Sequence, residues 1–341
     1  MSDITIRLPV SGTARSSGAW ESWFTALRFG RVHAVIARHL SAISLTFFVH
    51  SAWVGLAGLA VLASVRPQLA LAGLLVSVLA RLAAEGARAP QVLLDSGLIE
   101  LNGWFLGLAC TTFFAAGPGL IVALLLSGAL AAVFTIVMHR VLATWDLPLL
   151  VAPYVPAYWL VSAMLFAFPW SHSATIALSA SPASPAMLVL VGGLRGLGQI
   201  FFVPDARVGL GLAMAASLAD RRLGVAMVLA SVSSVGVGYL AGSPAWQVQQ
   251  GLAGFSAALM AVAALRGFAG LSPAAVAVIV VASPFLESAA LRLAGSIGLQ
   301  ALSTAFVGLA WTAVLLRPVR EASAARTGWS TGKTPRQFEN G

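Results

Sequence analysis

Uncharged apolar runs of membrane-spanning length constrain this chain more than any other feature. Leu120–Val137, Val225–Ala241 and Gly267–Leu286 contain no Asp, Glu, Lys or Arg. Each comes close to or meets the roughly 20 residues that cross a hydrocarbon core as a helix. The runs are continuous rather than alternating, which argues against barrel strands with a polar lumen face. Composition agrees, with 59% of residues apolar and 9% charged, against about a quarter charged in a soluble domain. The expected fold is an all-α integral membrane protein.

The net charge of +9 does not form a groove-sized basic patch, so nucleic acid is not an expected partner. Ten of the 20 basic residues sit at the chain ends: Arg7, Arg15, Arg28, Arg31 and Arg38, then Arg317, Arg320, Arg326, Lys333 and Arg336. The positive-inside rule puts both ends in the cytoplasm, with an even number of crossings of a bacterial-type inner membrane. Residues 1–31 read as a cytoplasmic tail without a cleavable signal peptide. In it Trp20, Trp23, Phe24 and Leu27, at helical spacing beside Arg28 and Arg31, suit an interfacial amphipathic helix. Residues 318–341 read as a disordered cytoplasmic tail. Cys110, the single cysteine, lies in an apolar segment and reads as a small packing residue.

The chain also repeats itself. Residues from Ser44-Leu45-Thr46-Phe47-Phe48-Val49 to Val54-Gly55 align without gaps on Gly198-Gln199-Ile200-Phe201-Phe202-Val203 to Val208-Gly209, at an offset of 198 − 44 = 154. Gly97-Leu98-Ile99-Glu100-Leu101-Asn102 falls on Gly251-Leu252-Ala253-Gly254-Phe255-Ser256 in the same register. With a two-residue slip, Leu147–Tyr154 falls on Leu299–Phe306 and Trp159 on Trp311. Two membrane repeats of about 135 residues follow, 32–167 and 186–317, joined by a Ser/Pro/Ala-rich linker at 168–185. Each holds six apolar blocks, of which the first is short and runs into His50-Ser51 or Pro204-Asp205, as a re-entrant pore helix would. Five crossings plus one re-entrant helix per unit would invert the second repeat relative to the first and place a pathway where the broken helices meet.

These motifs resemble those of the urea transporters. Gly196-Leu197-Gly198-Gln199-Ile200-Phe201-Phe202, followed by a polar pair and Gly209, is similar to that family's Gly-Gln-Val-Phe re-entrant segment. Leu101-Asn102-Gly103 and the residues before it resemble its Gly-Leu-Tyr-Gly-Phe-Asn-Gly block, with Gly251–Ala257 as a second copy. Leu147-Pro148-Leu149-Leu150-Val151-Ala152-Pro153-Tyr154 resembles its Leu-Pro-x-x-Thr-x-Pro-Phe signature, and Leu299–Phe306 is a worn copy. The resemblance implies a passive channel for urea or a similar small neutral amide, through an aromatic slot with an oxygen ladder, in a homotrimer surrounded by membrane lipid. It implies no cofactor, no metal and no enzymatic activity.

Carried over residue by residue, the resemblance makes Gln199 an acceptor for urea N–H groups. Phe202, three residues on and expected on the same helical face, would form a slot wall with Phe48 as its counterpart. Phe255 and Leu101 would form the second pair. The family threonines fall on Ser303, which keeps a hydroxyl, and on Val151, which does not, while Leu45 stands where an acceptor belongs. An ion-coupled transporter, which would require paired intramembrane acids that are scarce here, and a non-conducting relative with a binding or regulatory role, favoured by Leu45 and Val151, stand as alternatives. Glu100, Asn102 and Glu287 interrupt apolar blocks, where interfacial helix ends or function would account for them. Asp205 and Arg207 could pair at a mouth or loop. The scattered histidines show no metal or nucleophile-base spacing, which leaves a membrane enzyme weakly supported.

Overall fold

A computed structural model describes residues 30–165 and 184–316. The expected interfacial helix, the linker and the C-terminal tail lie almost entirely outside the described residues. Residues 30–37 belong to a separate compact unit and form the first turns of one helix; the fold below is that of the body from Arg38 onward. Among the described residues there are fourteen α-helices and no strand.

The first seven helices are α1 Gly30–Ser44, α2 Ala52–Val65, α3 Pro67–Gly86, α4 Gln91–Ser96, α5 Leu98–Phe113, α6 Pro118–Ala143 and α7 Tyr154–Leu165. The second seven are α8 Pro185–Gln199, α9 Ala206–Ser217, α10 Arg221–Leu240, α11 Ala245–Gln250, α12 Leu252–Leu265, α13 Pro273–Ser296 and α14 Thr304–Leu315. Helix starts follow local chemistry. Ser51 and Asp205 cap α2 and α9 by accepting from Val54 N and Arg207 N. Proline opens α3, α6, α8 and α13, where a missing N–H costs nothing.

The duplication extends to backbone dihedrals. Left-handed conformations recur at Phe48 and Phe202 (φ 55° and 59°), Arg88 and Gly242 (53° and 76°), and Gly97 and Gly251 (75° and 70°), each pair 154 residues apart. They recur again at Asp146 and Gly298 (53° and 71°) and at Leu150 and Leu302 (47° and 50°), now 152 apart. Non-glycine residues with positive φ are uncommon, so matched pairs at the register read from side chains mark two copies of one unit. Each copy has seven helices where the sequence suggested six apolar blocks. The extra helix is the six-residue α4 or α11, too short and too polar to show as a block.

The short first block of each repeat ends as expected, with the chain breaking. The helix reaching Phe47 and the following α2 make an angle of 81°. A side chain at Gly55 would lie 1.7 Å from the Leu40 carbonyl oxygen, and one at Gly209 would lie 1.8 Å from that of Leu194. Only glycine allows either hairpin to close this tightly.

Within the copies α3 lies against α5 and α6, and α10 against α8 and α12. Between them α2 packs on α9, where Gly58 faces Phe201 and Leu212, and Gly211 faces Val61, small residues again permitting close approach. Phe47 meets its own counterpart Phe201 at a ring-centroid distance of 6.4 Å. Trp159 Nε1 donates to the Gln300 carbonyl at 2.8 Å, and its counterpart Trp311 Nε1 donates to the Pro148 carbonyl at 2.9 Å. Such reciprocity, in which i meets j and the partner of j meets the partner of i, is the mark of a two-fold relation. α3, α6, α10 and α13 are each long and apolar enough to span a membrane, and the bent pair α1–α2 passes the same test as a unit. Exposed Ile121, Leu125, Val278 and Phe285 give α6 and α13 apolar outer faces. The molecule is a multi-pass, all-helical membrane protein.

Candidate conduction pathway

α8 ends at Gln199, and the chain then turns through Ile200 and Phe201 into the left-handed Phe202. Phe202 N donates to the Gln199 carbonyl at 2.9 Å and Val203 N to that of Gly198 at 3.0 Å. The first copy repeats this turn from Ser44 to Val49, with Phe48 N on the Leu45 carbonyl at 2.9 Å. The expectation that Gln199 and Phe202 share a helical face is therefore corrected. Phe202 stands beyond the helix end, and a positive φ rather than helical spacing aims its ring.

Phe202 reaches across to the first copy. Its ring lies 6.0 Å from Phe113, 6.3 Å from Tyr154 and 6.5 Å from Phe105, all edge-on. Tyr154 stacks on Phe105 at 5.4 Å with an interplanar angle of 24°. The Tyr154 hydroxyl is hydrogen-bonded to that of Ser303, in the turn before α14 of the second copy. Phe202 and Ser303 are thus brought to one enclosure, with Tyr154 between them. Gln199, at the end of α8, donates through Nε2 to the Gln250 carbonyl at 3.4 Å; its acceptor, Oε1, is not committed to that bond.

The opposite corner is the mirror of this one with less polarity. Phe48 meets Phe268 of the second copy at 5.8 Å, and its carbonyl accepts from Arg266 Nε at 3.4 Å. Leu45 is half-buried in the slot where Gln199 sits in the other copy, against Gly97. Leu101 and Val151 are 3% and 6% exposed, and Phe255 is 7% exposed on α12. The sequence reading missed Tyr154, Phe105 and Phe113. Tyr154 carried a signal, because it adds a hydroxyl to the phenylalanine that closes the family signature, and Phe105 lies one turn after Leu101 on α5.

The polar residues inside the apolar blocks are buried and hydrogen-bonded within the body. Asn102 ties α5 to the turn that presents Tyr154: Nδ2 donates to the Leu98 and Leu150 carbonyls at 2.8 and 3.1 Å, and Oδ1 accepts from Tyr154 N at 3.1 Å. Glu100 is fully buried and accepts from Arg81 Nη1 at 3.0 Å through Oε1. Arg81 also donates to the Leu94 carbonyl, and through Nε to Glu85 at 2.6 Å, closing a knot between α3, α4 and α5. Glu287, 3% exposed within α13, accepts from Ser256 Oγ at 3.4 Å. Arg292, its neighbour in sequence, instead donates to the Ser288 carbonyl. Asp205 and Arg207 do pair, at 2.8 Å. Cys110 is buried with Sγ 3.3 Å from Ser127 Oγ.

A membrane body made of two copies, each sending a broken helix into the other, has the build of a solute pathway. The sequence matches the urea transporter family over residues 36–318, and the chain belongs to that family. Members of the family are channels, not enzymes. A search of curated proteins finds no match to the chain.

Proposed function

We propose that the protein conducts urea, or a comparably small neutral amide, passively, and that solute passes the enclosure around Phe202. The observation that carries this placement is the convergence of Phe202, Tyr154 and Ser303 from both copies. Urea is flat, with four in-plane N–H donors and faces that tolerate carbon. Stripping an amide of water without partners costs about 2–7 kcal/mol. The Gln199 Oε1 and the Ser303 hydroxyl would replace part of that water, while Phe202, Phe48, Phe255 and Leu101 wall the path. Leu45 and Val151 are the two places where the ladder lacks an acceptor.

The reading includes inverted copies, with the two-fold axis in the membrane plane. It also takes both ends as cytoplasmic, an inner-membrane location and a homotrimer, for which family membership and the basic termini are the support. A second reading, a non-conducting relative with a binding role, is favoured by one observation, the apolar Leu45 and Val151 at two places of the ladder. Stopped-flow permeability of reconstituted protein to urea, formamide and water separates the two readings. Urea flux well above empty vesicles supports conduction, and flux equal to empty vesicles from folded protein supports the second.

A further inference from the structure

The two copies handle one buried position differently. In the first, the Arg81 guanidinium fills the space between α3, α4 and α5, donating to the Leu94 carbonyl and to Glu100. In the second, the residue 154 places on is Val235, and Glu100 is replaced by Gly254. The space is not refilled. A cavity remains, lined by Val235, Ser243, Gln247, Val248, Pro284 and Glu287. Val235, Ser243, Gln247 and Val248 are the counterparts of Arg81, Ala89, Leu93 and Leu94. The cavity has about 10 Å3 open to the centre of a water-sized guest, which is room for one such particle. Glu287, supplied by α13, brings a carboxyl to this cavity, but no guanidinium comes with it.

We propose that this cavity is a binding site for a small monovalent cation with N–H donors, ammonium being the simplest, which takes the place that Arg81 fills in the first copy. Three features support this. The polar groups around the cavity are acceptors or can act as such: the Glu287 carboxylate, the Gln247 Oε1 and the Ser243 hydroxyl. Gln247 Oε1 is already oriented, accepting from Ser288 Oγ at 3.0 Å. A buried carboxyl whose one hydrogen bond in the structure comes from a serine ionises there only with a cation beside it, and a cation of the size of water fits the room available. With one carboxylate and, among the described residues, no group of three or more His, Cys, Asp or Glu, the site matches a single positive charge rather than a divalent metal.

Thermal unfolding of the full-length protein in detergent, in ammonium, sodium or choline chloride at equal ionic strength, tests this independently of any flux. Ammonium is expected to raise the midpoint saturably, by a few degrees, and choline is not. Glu287→Gln should abolish the ammonium response while the protein stays monodisperse. Val235→Arg, which restores the built-in cation, should abolish it too and raise the midpoint measured without ammonium. A wild-type response that is the same in all three salts overturns the proposal. So does an ammonium response that survives in Glu287→Gln.

Discussion

Gln199 and Leu45 occupy the same place in the two copies, and only one of them can accept a hydrogen bond. If solute passes Gln199, losing its amide should cost about 1–3 kcal/mol at the barrier. Gln199→Leu is then expected to lower urea permeability about five- to a hundredfold in proteoliposomes. Leu45→Gln combined with Val151→Thr should raise it, with expression unchanged. Tyr154→Phe removes the hydroxyl that ties the enclosure to Ser303 and leaves the ring on Phe105. Losing one such bond, worth about 1 kcal/mol, should speed urea by about two- to tenfold. Unchanged flux would place the Tyr154–Ser303 pair off the path. Gln199, Phe202 and Ser303 could be singled out as candidates because their residue types survive in motifs. Tyr154 was not, because its role depends on a hydroxyl from the other copy, 149 residues away, and no local pattern encodes that contact.

Among the elements, broken helices were readable from short apolar blocks that run into polar pairs, since such a block cannot span a bilayer alone. α4 and α11 were not readable, because six residues of mixed polarity carry no period. Glu100, in the first turn of α5, could not be assigned a partner for a related reason. Its partner Arg81 lies 19 residues earlier, on a helix that sequence spacing does not connect to it. The pair makes a test at this scale. Arg81→Met strands a carboxylate that is 0% exposed and should cost about 3–5 kcal/mol of stability. Arg81→Met with Glu100→Leu should recover most of that loss, because neither charge is then left alone. Unfolding of the purified variants in the same detergent measures both, and equal losses for single and double variants would show that packing, not charge, holds the knot.

For the whole molecule, inversion of the copies predicts that equivalent surface positions face opposite sides of the membrane. Ala87 and Ala241 are such a pair, exposed and 154 residues apart. In a Cys110→Ala background, Ala87→Cys and Ala241→Cys should react with an impermeant thiol reagent from opposite faces. Reaction from the same face would mean parallel copies. The exchange of hydrogen bonds between Trp159 and Trp311 has a historical consequence. Each indole completes a turn in the other copy, as side chains do across the interface of a symmetric dimer. Fusion of two half-length subunits would preserve that exchange, and the covalent link would then be dispensable. Two fragments made by cutting between residues 166 and 183, co-expressed, should find each other and co-purify, whereas either fragment alone leaves its tryptophan without the turn it was shaped to meet.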